Sequence, residues 1–559
     1  MSDTETTKTI VVVGGVAGGM SAAARMRRLD ENAHIIVLEK GEFVSFANCG
    51  LPYYVGGEIQ HDWALLLHTP DTLKAALNLD VRIFHEVTGV DTAAQQVTVT
   101  TAEGELTLAY DELILAPGAR AIVPDIPGID SPRIRTLRTV NDAMDLRSMV
   151  ETAKRAVVLG GGFIGLEAAE ALKIKELDVT VVTRGAHVMN LLDAETANLT
   201  TMALERNGVA VRANVSATAI ERGADCDTVV LSDGTRLDAD LIVLAIGVEP
   251  DTGFVEAAGI ATERGAIVID EHGRTSADHV WAAGDAVIST DAVTGAKHPV
   301  PLAWPANRTG RLIADAIADP ATARKVPNPL STAIIRIFDQ TVAHTGANRK
   351  ALDAAGIRYK SLHLHPAHHA GYYPGAQQIH MLVLIDPENG KLLGAQAIGA
   401  EGVDKRIDVL ATAMRAGMTV EDLIDLDLSY SPPYGQARDP INLVGLLGQN
   451  VLQGTIKLWF VEDFENAMAN TLLLDVRSAF EFERGHLPGA LNVPHTELRD
   501  RMDEVLEAAA GRPVSAYCYS GVRSYNAYRV LAAAGLDAAT LSGGLMSLQA
   551  AAPELVLEK

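Results

Sequence analysis

The chain has 559 residues, several times the roughly 100–200 residues of one domain, so a single compact core is excluded. Hydrophobic residues make up 48% and charged residues 21%, which are globular proportions, and the longest apolar runs, such as 241–248, fall far short of the roughly 18–20 residues of a membrane span. The formal net charge of −24 argues against a general nucleic-acid-binding surface and would repel a polyanion unless a local basic pocket intervenes, while small anionic ligands remain possible.

The first eight residues carry no apolar stretch, so no secretory signal is expected and a cytoplasmic address follows. The β-branched run 9–13 leads into Gly14-Gly15-Val16-Ala17-Gly18-Gly19 and then a helical pattern over 20–28; the next strand, 34–38, is followed by Glu39. Strand, tight turn, helix and strand in this order predict a dinucleotide-binding unit, with Gly14 and Gly19 as first and third fingerprint glycines and Val16 where a second is usual. A carboxylate after the second strand can accept from a ribose 2′-hydroxyl while the helix N-terminus receives a pyrophosphate, which is the role read for Glu39.

Ten residues beyond Glu39 stands Cys49, in Ser45-Phe46-Ala47-Asn48-Cys49-Gly50-Leu51-Pro52-Tyr53. No second cysteine lies five positions away on either side, where Val44 and Tyr54 stand. A lone sulfur cannot cycle as an internal disulfide, so its redox partner must be oxygen, as a sulfenic acid, or a sulfur brought by substrate. The segment 110–119, with Ala116 and Gly118, predicts a strand running into a turn. Then the nucleotide pattern recurs: an apolar strand at 156–159, a complete G-x-G-x-x-G in Gly160, Gly162 and Gly165, a helix, and a strand at 179–182. Two such sites imply two different dinucleotides. The second strand ends on Thr183 and Arg184 without an acid, a pattern that leans slightly to a 2′-phosphate and leaves the cofactor as NAD(P)H. The segment 280–286, holding Asp285, is another strand running into a turn.

On these motifs the sequence resembles the two-dinucleotide-binding-domain flavoprotein disulfide reductases. The resemblance implies FAD at the first site, NAD(P)H at the second, and a flavin ribityl contact from Asp285. The Cys49 segment, with 300–308, 402–408, 372–375 and 430–434, resembles the single-cysteine branch, the coenzyme A-disulfide reductases and their relatives that reduce CoA persulfides and polysulfides. That likeness covers residues 9 to about 446. It implies a homodimer in which Tyr372 and Tyr430, supplied by the other subunit, stand in for the missing His-Glu acid/base pair, with Tyr373 and Tyr434 as neighbours that could be confused with them. It also implies CoA contacts at Ser21, Arg25, Arg28, Ser45, Asn48, Asn307, Arg308 and Arg438. Arg25 and Arg28, at i, i+3 on one helix, can act together. The histidines His363, His365, His368 and His369 precede the tyrosine motif in a loop-like stretch with no carboxylate partner evident, and are read as non-ligands; no metal site is expected.

After Gly445 a connecting stretch to Asn470 reads as a linker or edge strand, and a smaller α/β unit follows. The apolar run 513–517 ends on Cys518-Tyr519-Ser520-Gly521-Val522-Arg523 before a helix. A thiol ringed by backbone N–H groups at a helix N-terminus and backed by an arginine is activated and can hold an anionic adduct. With Leu474-Asp475-Val476-Arg477 and Gly485-His486-Leu487-Pro488-Gly489-Ala490 ahead of it, this unit resembles a rhodanese domain, which implies a persulfide-carrying Cys518 and a supporting Arg523. Cys226, between Asp225 and Asp227 in a strand-like stretch, is read as structural.

The expected fold class is α/β: an FAD-binding domain (1–120 and 250–328) and an NAD(P)H-binding domain (121–249), both Rossmann-like, an α+β dimerisation domain (329–446), a linker (447–469) and a rhodanese-like α/β domain (470–559). The expected activity is NAD(P)H-dependent, FAD-mediated reduction of CoA persulfide, polysulfide or CoA disulfide through Cys49, with Cys518 relaying sulfane sulfur. The partners expected are sulfur substrates, CoA and a second copy of the chain, with no membrane or nucleic acid. The alternatives are an NAD(P)H oxidase or peroxidase cycling Cys49 through a sulfenic acid, and a redox-sensing flavoprotein with a docking rhodanese module.

Overall fold

The computed structural model describes residues 7–559. They divide into two compact units: one runs to Ala186 and resumes over Gly208–Ser331, the other takes His187–Asn207 and Thr332–Lys559.

The first unit is built on two parallel five-stranded sheets. In the first, the strand order is Val280–Ala282, Glu112–Leu115, Thr9–Val13, His34–Leu38, Asp80–Arg82. Parallel sheets are covered on both faces, which is why these strands are continuous apolar runs rather than alternating ones. Successive residues of the central strand feed two separate cores: Ile10 and Val12 pack with Met20, Met26 and Ile313, while Val11 and Val13 pack with Val87, Val97 and Val99. Helices Ala17–Leu29 and Ala303–Ala318 pack against each other in the first of these layers. A Cβ on Gly310 would fall 2.1 Å from the Gly18 carbonyl oxygen, so the two helices meet at backbone contact and no larger residue fits. The second sheet has the order Val209–Arg212, Asp178–Val182, Arg155–Leu159, Leu241–Leu244, Ile134–Arg135, all parallel. Cys226 lies just outside the strand Asp227–Leu231 rather than in it.

The second unit pairs an antiparallel five-stranded sheet with a parallel one. The antiparallel order is Ala333–Ile337, Gln340–Gly346, Leu392–Gly399, Ile379–Ile385, Lys360–Leu364. Helix Val403–Ala416 packs on this sheet, and one hydrophobic cluster runs from Met381 and Ile407 through Val444 to Leu474, Val514 and Leu531 of the parallel sheet and its helices. The parallel order is Leu458–Trp459, Ala538–Leu541, Val514–Tyr517, Leu472–Asp475, Leu491–Asn492. Much of 447–469 is therefore structured. Helix Pro440–Leu452 runs into it, Leu458–Trp459 forms the sheet edge, and the buried Trp459 indole donates to the Ala516 carbonyl at 3.1 Å. A two-residue edge strand carries too little periodicity to be separated from a linker in the sequence.

Among the described residues no helix is long and apolar enough to cross a membrane.

Three histidines of the antiparallel sheet region, His344, His365 and His380, all have pKa values lowered by burial, His344 to about 4. A histidine depressed in the folded state contributes stability that is complete above its unfolded value near 6.5 and is lost as pH falls through the folded value. The urea midpoint of this unit is therefore expected to fall between pH 6.5 and 4, with His344 alone contributing on the order of 3 kcal/mol. His344→Gln should flatten that part of the profile; an unchanged pH dependence in the variant would contradict the assignment.

Candidate active sites

The two glycine turns are shaped by close backbone approach. Gly14 has φ +94° and a Cβ there would lie 2.0 Å from the Ala116 carbonyl oxygen; one on Gly19 would lie 1.9 Å from the Gly14 oxygen. In the second turn a Cβ on Gly160, at φ +120°, would lie 2.0 Å from the Ala245 oxygen, and one on Gly165 would lie 2.0 Å from the Gly160 oxygen. Gly162 differs, because nothing lies within 4 Å of its Cβ position, at the N-cap of helix Phe163–Ile174. The bare N-terminus and the open space above Gly162 fit a pyrophosphate. Glu39 follows the strand His34–Leu38, its Oε2 accepting from the Gly15 N–H at 2.9 Å and its Oε1 from the Gly41 N–H at 2.8 Å. One bond per oxygen fixes the carboxylate and leaves lone pairs for a ribose. Ala116 and Gly118 follow the strand Glu112–Leu115, where the Ala116 N–H donates to the Val13 carbonyl at 2.8 Å. Asp285 follows the strand Val280–Ala282 and is ion-paired with Arg138 at 2.9 Å. Thr183 is buried and Arg184 exposed at the end of the strand Asp178–Val182.

Cys49 occupies a single 3₁₀ turn, Asn48–Gly50, directly ahead of helix Leu51–Gly56, and its side chain is exposed. Partial desolvation pushes its thiol pKa up, and the negative charges of Glu167 and Asp285 add to the rise. Next to it the Asn48 Oδ1 is buried without a hydrogen-bond partner, and Ser45 is held at φ +50°. The residues read as CoA contacts divide. Ser21 and Asn307 are brought together across the helix pair, the Ser21 hydroxyl donating to Asn307 Oδ1 at 2.5 Å. Arg25 has a partner within the fold, its Nε donating to Asp315 at 2.6 Å, while Arg28 is exposed on the next turn. Arg308 donates to the Pro327 carbonyl at 2.8 Å.

In the second unit Tyr372 and Tyr430 stand with their hydroxyls 3.1 Å apart and their rings exposed, 77% and 47%. The hydrogen bond with Tyr430 raises the Tyr372 pKa, with a smaller part from desolvation. Tyr373 instead packs edge-on against His369, at 5.4 Å between ring centroids. The loops bearing the two phenols are joined below them by the Ala370 N–H to Gly435 carbonyl bond at 2.9 Å and by buried Arg406, which donates to Asp439 and to the His368 carbonyl, both at 2.8 Å. Arg438, adjacent to Asp439, is exposed.

Cys518 follows the buried strand Val514–Tyr517 and is itself buried. Its sulfur accepts from the Gly521 N–H at 3.2 Å and the Ser524 hydroxyl at 3.4 Å, and Thr540 donates to the Ser524 oxygen at 2.7 Å. A cradle of this kind holds an anionic sulfur. Arg523 is shared between the thiol and an acid. Its two terminal nitrogens donate to the two oxygens of Glu481, each at 2.7 Å, with the Cys518 sulfur as a lesser neighbour. The Arg523 hydrogen bonds hold the Glu481 carboxyl down at about 2.

The histidine stretch also differs from expectation. His363 lies in the strand Lys360–Leu364, not a loop, and it has a carboxylate partner: its Nε2 is 3.1 Å from Glu195 Oε1 and its Nδ1 is 2.9 Å from the Ser542 hydroxyl. His365 Nε2 is 2.9 Å from the Ser547 hydroxyl. Burial opposes ionisation of Glu195, but the His363 hydrogen bond and the nearby Arg349 prevail and bring it to about 2. These contacts brace the turn at Gly543 and Gly544, whose backbone supports Cys518: the Leu545 N–H donates to the Cys518 carbonyl at 2.9 Å. Sequence reasoning missed Arg138, Glu167, Glu195 and Glu481. Only Glu167, two residues beyond Gly165, carried a positional signal.

Residues 8–310 match the pyridine nucleotide-disulphide oxidoreductase family, 332–440 the dimerisation domain of the same family, and 460–551 the rhodanese-like domain. A coenzyme A disulfide reductase of Staphylococcus haemolyticus is 34% identical over 441 residues, 78% of this chain and 98% of the relative. The crystal structure of reduced Bacillus anthracis CoADR-RHD superposes with a TM-score of 0.96 at 38% identity, covering 100% of both chains. A NAD-dependent persulfide reductase from A. fulgidus superposes with a TM-score of 0.90 at 36% identity, covering 96% of this chain and 99% of that one.

Proposed function

The chain belongs to the pyridine nucleotide-disulphide oxidoreductase family, and from that premise we propose an FAD- and NAD(P)H-dependent reductase of CoA disulfide, CoA persulfide and polysulfide. It works as a homodimer, with Cys49 as the reacting thiol and Cys518 as a sulfane-sulfur carrier. The observation that carries this reading is a single cysteine in the Cys49 segment together with the Tyr372–Tyr430 phenol pair, at 3.1 Å, in place of a second cysteine and a histidine base.

Gly14, Gly19, Glu39, Ala116, Gly118 and Asp285 would hold FAD, and Gly160, Gly162, Gly165, Thr183 and Arg184 would hold NAD(P)H. Bound there, the two cofactors supply the electron pair that the reduction consumes. The Cys49 thiolate attacks a sulfur of CoA disulfide, the S–S bond breaks, and one CoA thiolate leaves as a Cys49–CoA mixed disulfide forms. With CoA persulfide, attack on the inner sulfur expels hydrosulfide instead. The electron pair then cleaves the mixed disulfide to two thiolates. The phenols of the partner subunit hydrogen-bond the departing thiolate and give it a proton. Ser21, Arg25, Arg28, Ser45, Asn48, Asn307, Arg308 and Arg438 orient the CoA moiety, with guanidinium groups meeting its phosphates. The depressed acidity of the Cys49 thiol in the protein alone is consistent with a sulfur that ionises only when such donors surround it.

Tyr372→Phe and Tyr430→Phe are each expected to lower kcat/KM for CoA disulfide roughly 10- to 100-fold, and the double variant should lose little more than either single one, because hydrogen-bonded phenols act as a unit. Independent, multiplying effects in steady-state kinetics would contradict the pairing. Cys518→Ser should impair transfer of sulfur into the enzyme more than turnover of preformed CoA persulfide; equal loss of both would overturn the carrier role.

A further inference from the structure

We propose that the rhodanese-like domain carries a further ligand site, a basic cavity beside the helix that follows the Cys518 loop, and that it takes a phosphate-bearing organic anion of nucleotide size. None of its residues belongs to the sets assigned above to FAD, NAD(P)H, CoA or the Cys518 cradle, so the inference stands apart from the proposed reduction.

Two elements form the cavity. The His495 N–H donates to the Val476 carbonyl at 3.0 Å, which seats 495–499 just beyond the C-terminal end of the strand Leu472–Asp475. On the other element, Asn526, Arg529, Val530 and Ala533 recur at the i, i+3, i+4, i+7 spacing of one face of the helix Val522–Ala533. His495, Thr496 and Arg499 meet that face around a cavity of about 650 Å³.

The cavity is set apart by a donor set that the fold does not use. Among the described residues none makes a hydrogen bond or ion pair with the side chains of Thr496, Arg499 and Asn526 or with the His495 ring. Arg529 spends one N–H, its Nη1 donating to the Thr455 carbonyl at 2.9 Å, and keeps the rest of its fork. No carboxylate is among the lining residues. The nearby acids Glu497 and Glu504 are held by Arg501, at 3.0 and 2.8 Å, while Asp500 and Asp503 are exposed and lie outside the lining.

In a chain of net charge −24, two guanidinium groups with unspent donors make a local positive field. Their planar forks match phosphate oxygens, and the imidazole, amide and hydroxyl add directional bonds around them. Val530 and Ala533 offer an apolar wall to the organic part of the ligand. Volume decides between a bare ion and a larger molecule: about 650 Å³ falls within the roughly 300–1,000 Å³ of small-molecule sites, more than inorganic phosphate would fill.

The test titrates the full-length FAD enzyme with ADP and reads hydrogen–deuterium exchange by mass spectrometry, which separates this cavity from any other nucleotide site by the peptides protected. ADP should slow exchange saturably in peptides covering 495–501 and 522–533, with half-protection below about 1 mM. Pyrophosphate should protect the same peptides more weakly, and adenosine should not protect them. Arg499→Ala and Arg529→Ala should each raise the half-protection concentration about tenfold, with the visible flavin spectrum and circular dichroism of the parent showing that the fold is kept. No protection of these peptides by about 10 mM ADP, equal protection by adenosine, or protection that neither arginine variant weakens would overturn the proposal.

Discussion

Cys49→Ser is expected to lower NAD(P)H-dependent reduction of CoA disulfide by roughly 10⁴-fold while leaving FAD bound. Serine keeps the shape of the 3₁₀ turn Asn48–Gly50, yet its hydroxyl cannot form a mixed disulfide, so the covalent route is closed rather than slowed. Flavin retention follows because the residues assigned to FAD, including Gly14, Gly19 and Glu39, owe their placement to backbone packing and to the Gly15 and Gly41 N–H groups, none of which involves the Cys49 sulfur. Steady-state kinetics with the visible flavin spectrum of the same sample checks both halves. A variant that turns over CoA disulfide near the parent rate would show that Cys49 is not the reacting thiol.

Arg406→Leu is expected to destabilise the second unit by about 3 kcal/mol, because it leaves the buried Asp439 carboxylate with only Lys405, at 3.7 Å, as a cationic partner. The Arg406 side chain is 1% exposed and that of Asp439 4%. Their pairing caps the helix Pro440–Leu452 and reaches back to the His368 carbonyl. The loss should show as a lower urea midpoint. It should also lower kcat/KM, since the same bonds tie together the loops that carry Tyr372 and Tyr430. Adding Asp439→Leu removes the stranded charge, and the double variant should recover part of the stability. A wild-type midpoint for Arg406→Leu would show that the pair is not an anchor.

How much of this was legible in the sequence depended on whether a residue's role was local. The nucleotide turns could be read because glycine is demanded wherever a Cβ would strike a carbonyl, as at Gly14, Gly19, Gly160 and Gly165. The continuous apolar strands could be read because a parallel sheet is buried on both faces. The Tyr372–Tyr430 pair, 58 residues apart, was reached through family resemblance, since neither tyrosine carries a periodic signal. Pairings set by tertiary packing stayed hidden. Arg523 finds Glu481 at a separation of 42 residues and His363 finds Glu195 at 168, so neither acid is visible in the sequence around its partner. Arg25 resembled a free helical cation until the helix Ala303–Ala318 supplied Asp315.

In the proposed reaction the electrons end on sulfur attached to CoA. Anaerobic consumption of NADH and NADPH by the purified FAD enzyme, with CoA disulfide, CoA persulfide and hydrogen peroxide offered side by side, decides this. Rapid consumption with the CoA substrates, release of CoA thiol or sulfide, and little turnover with peroxide are expected. Rapid consumption with peroxide and none with either CoA substrate would contradict it.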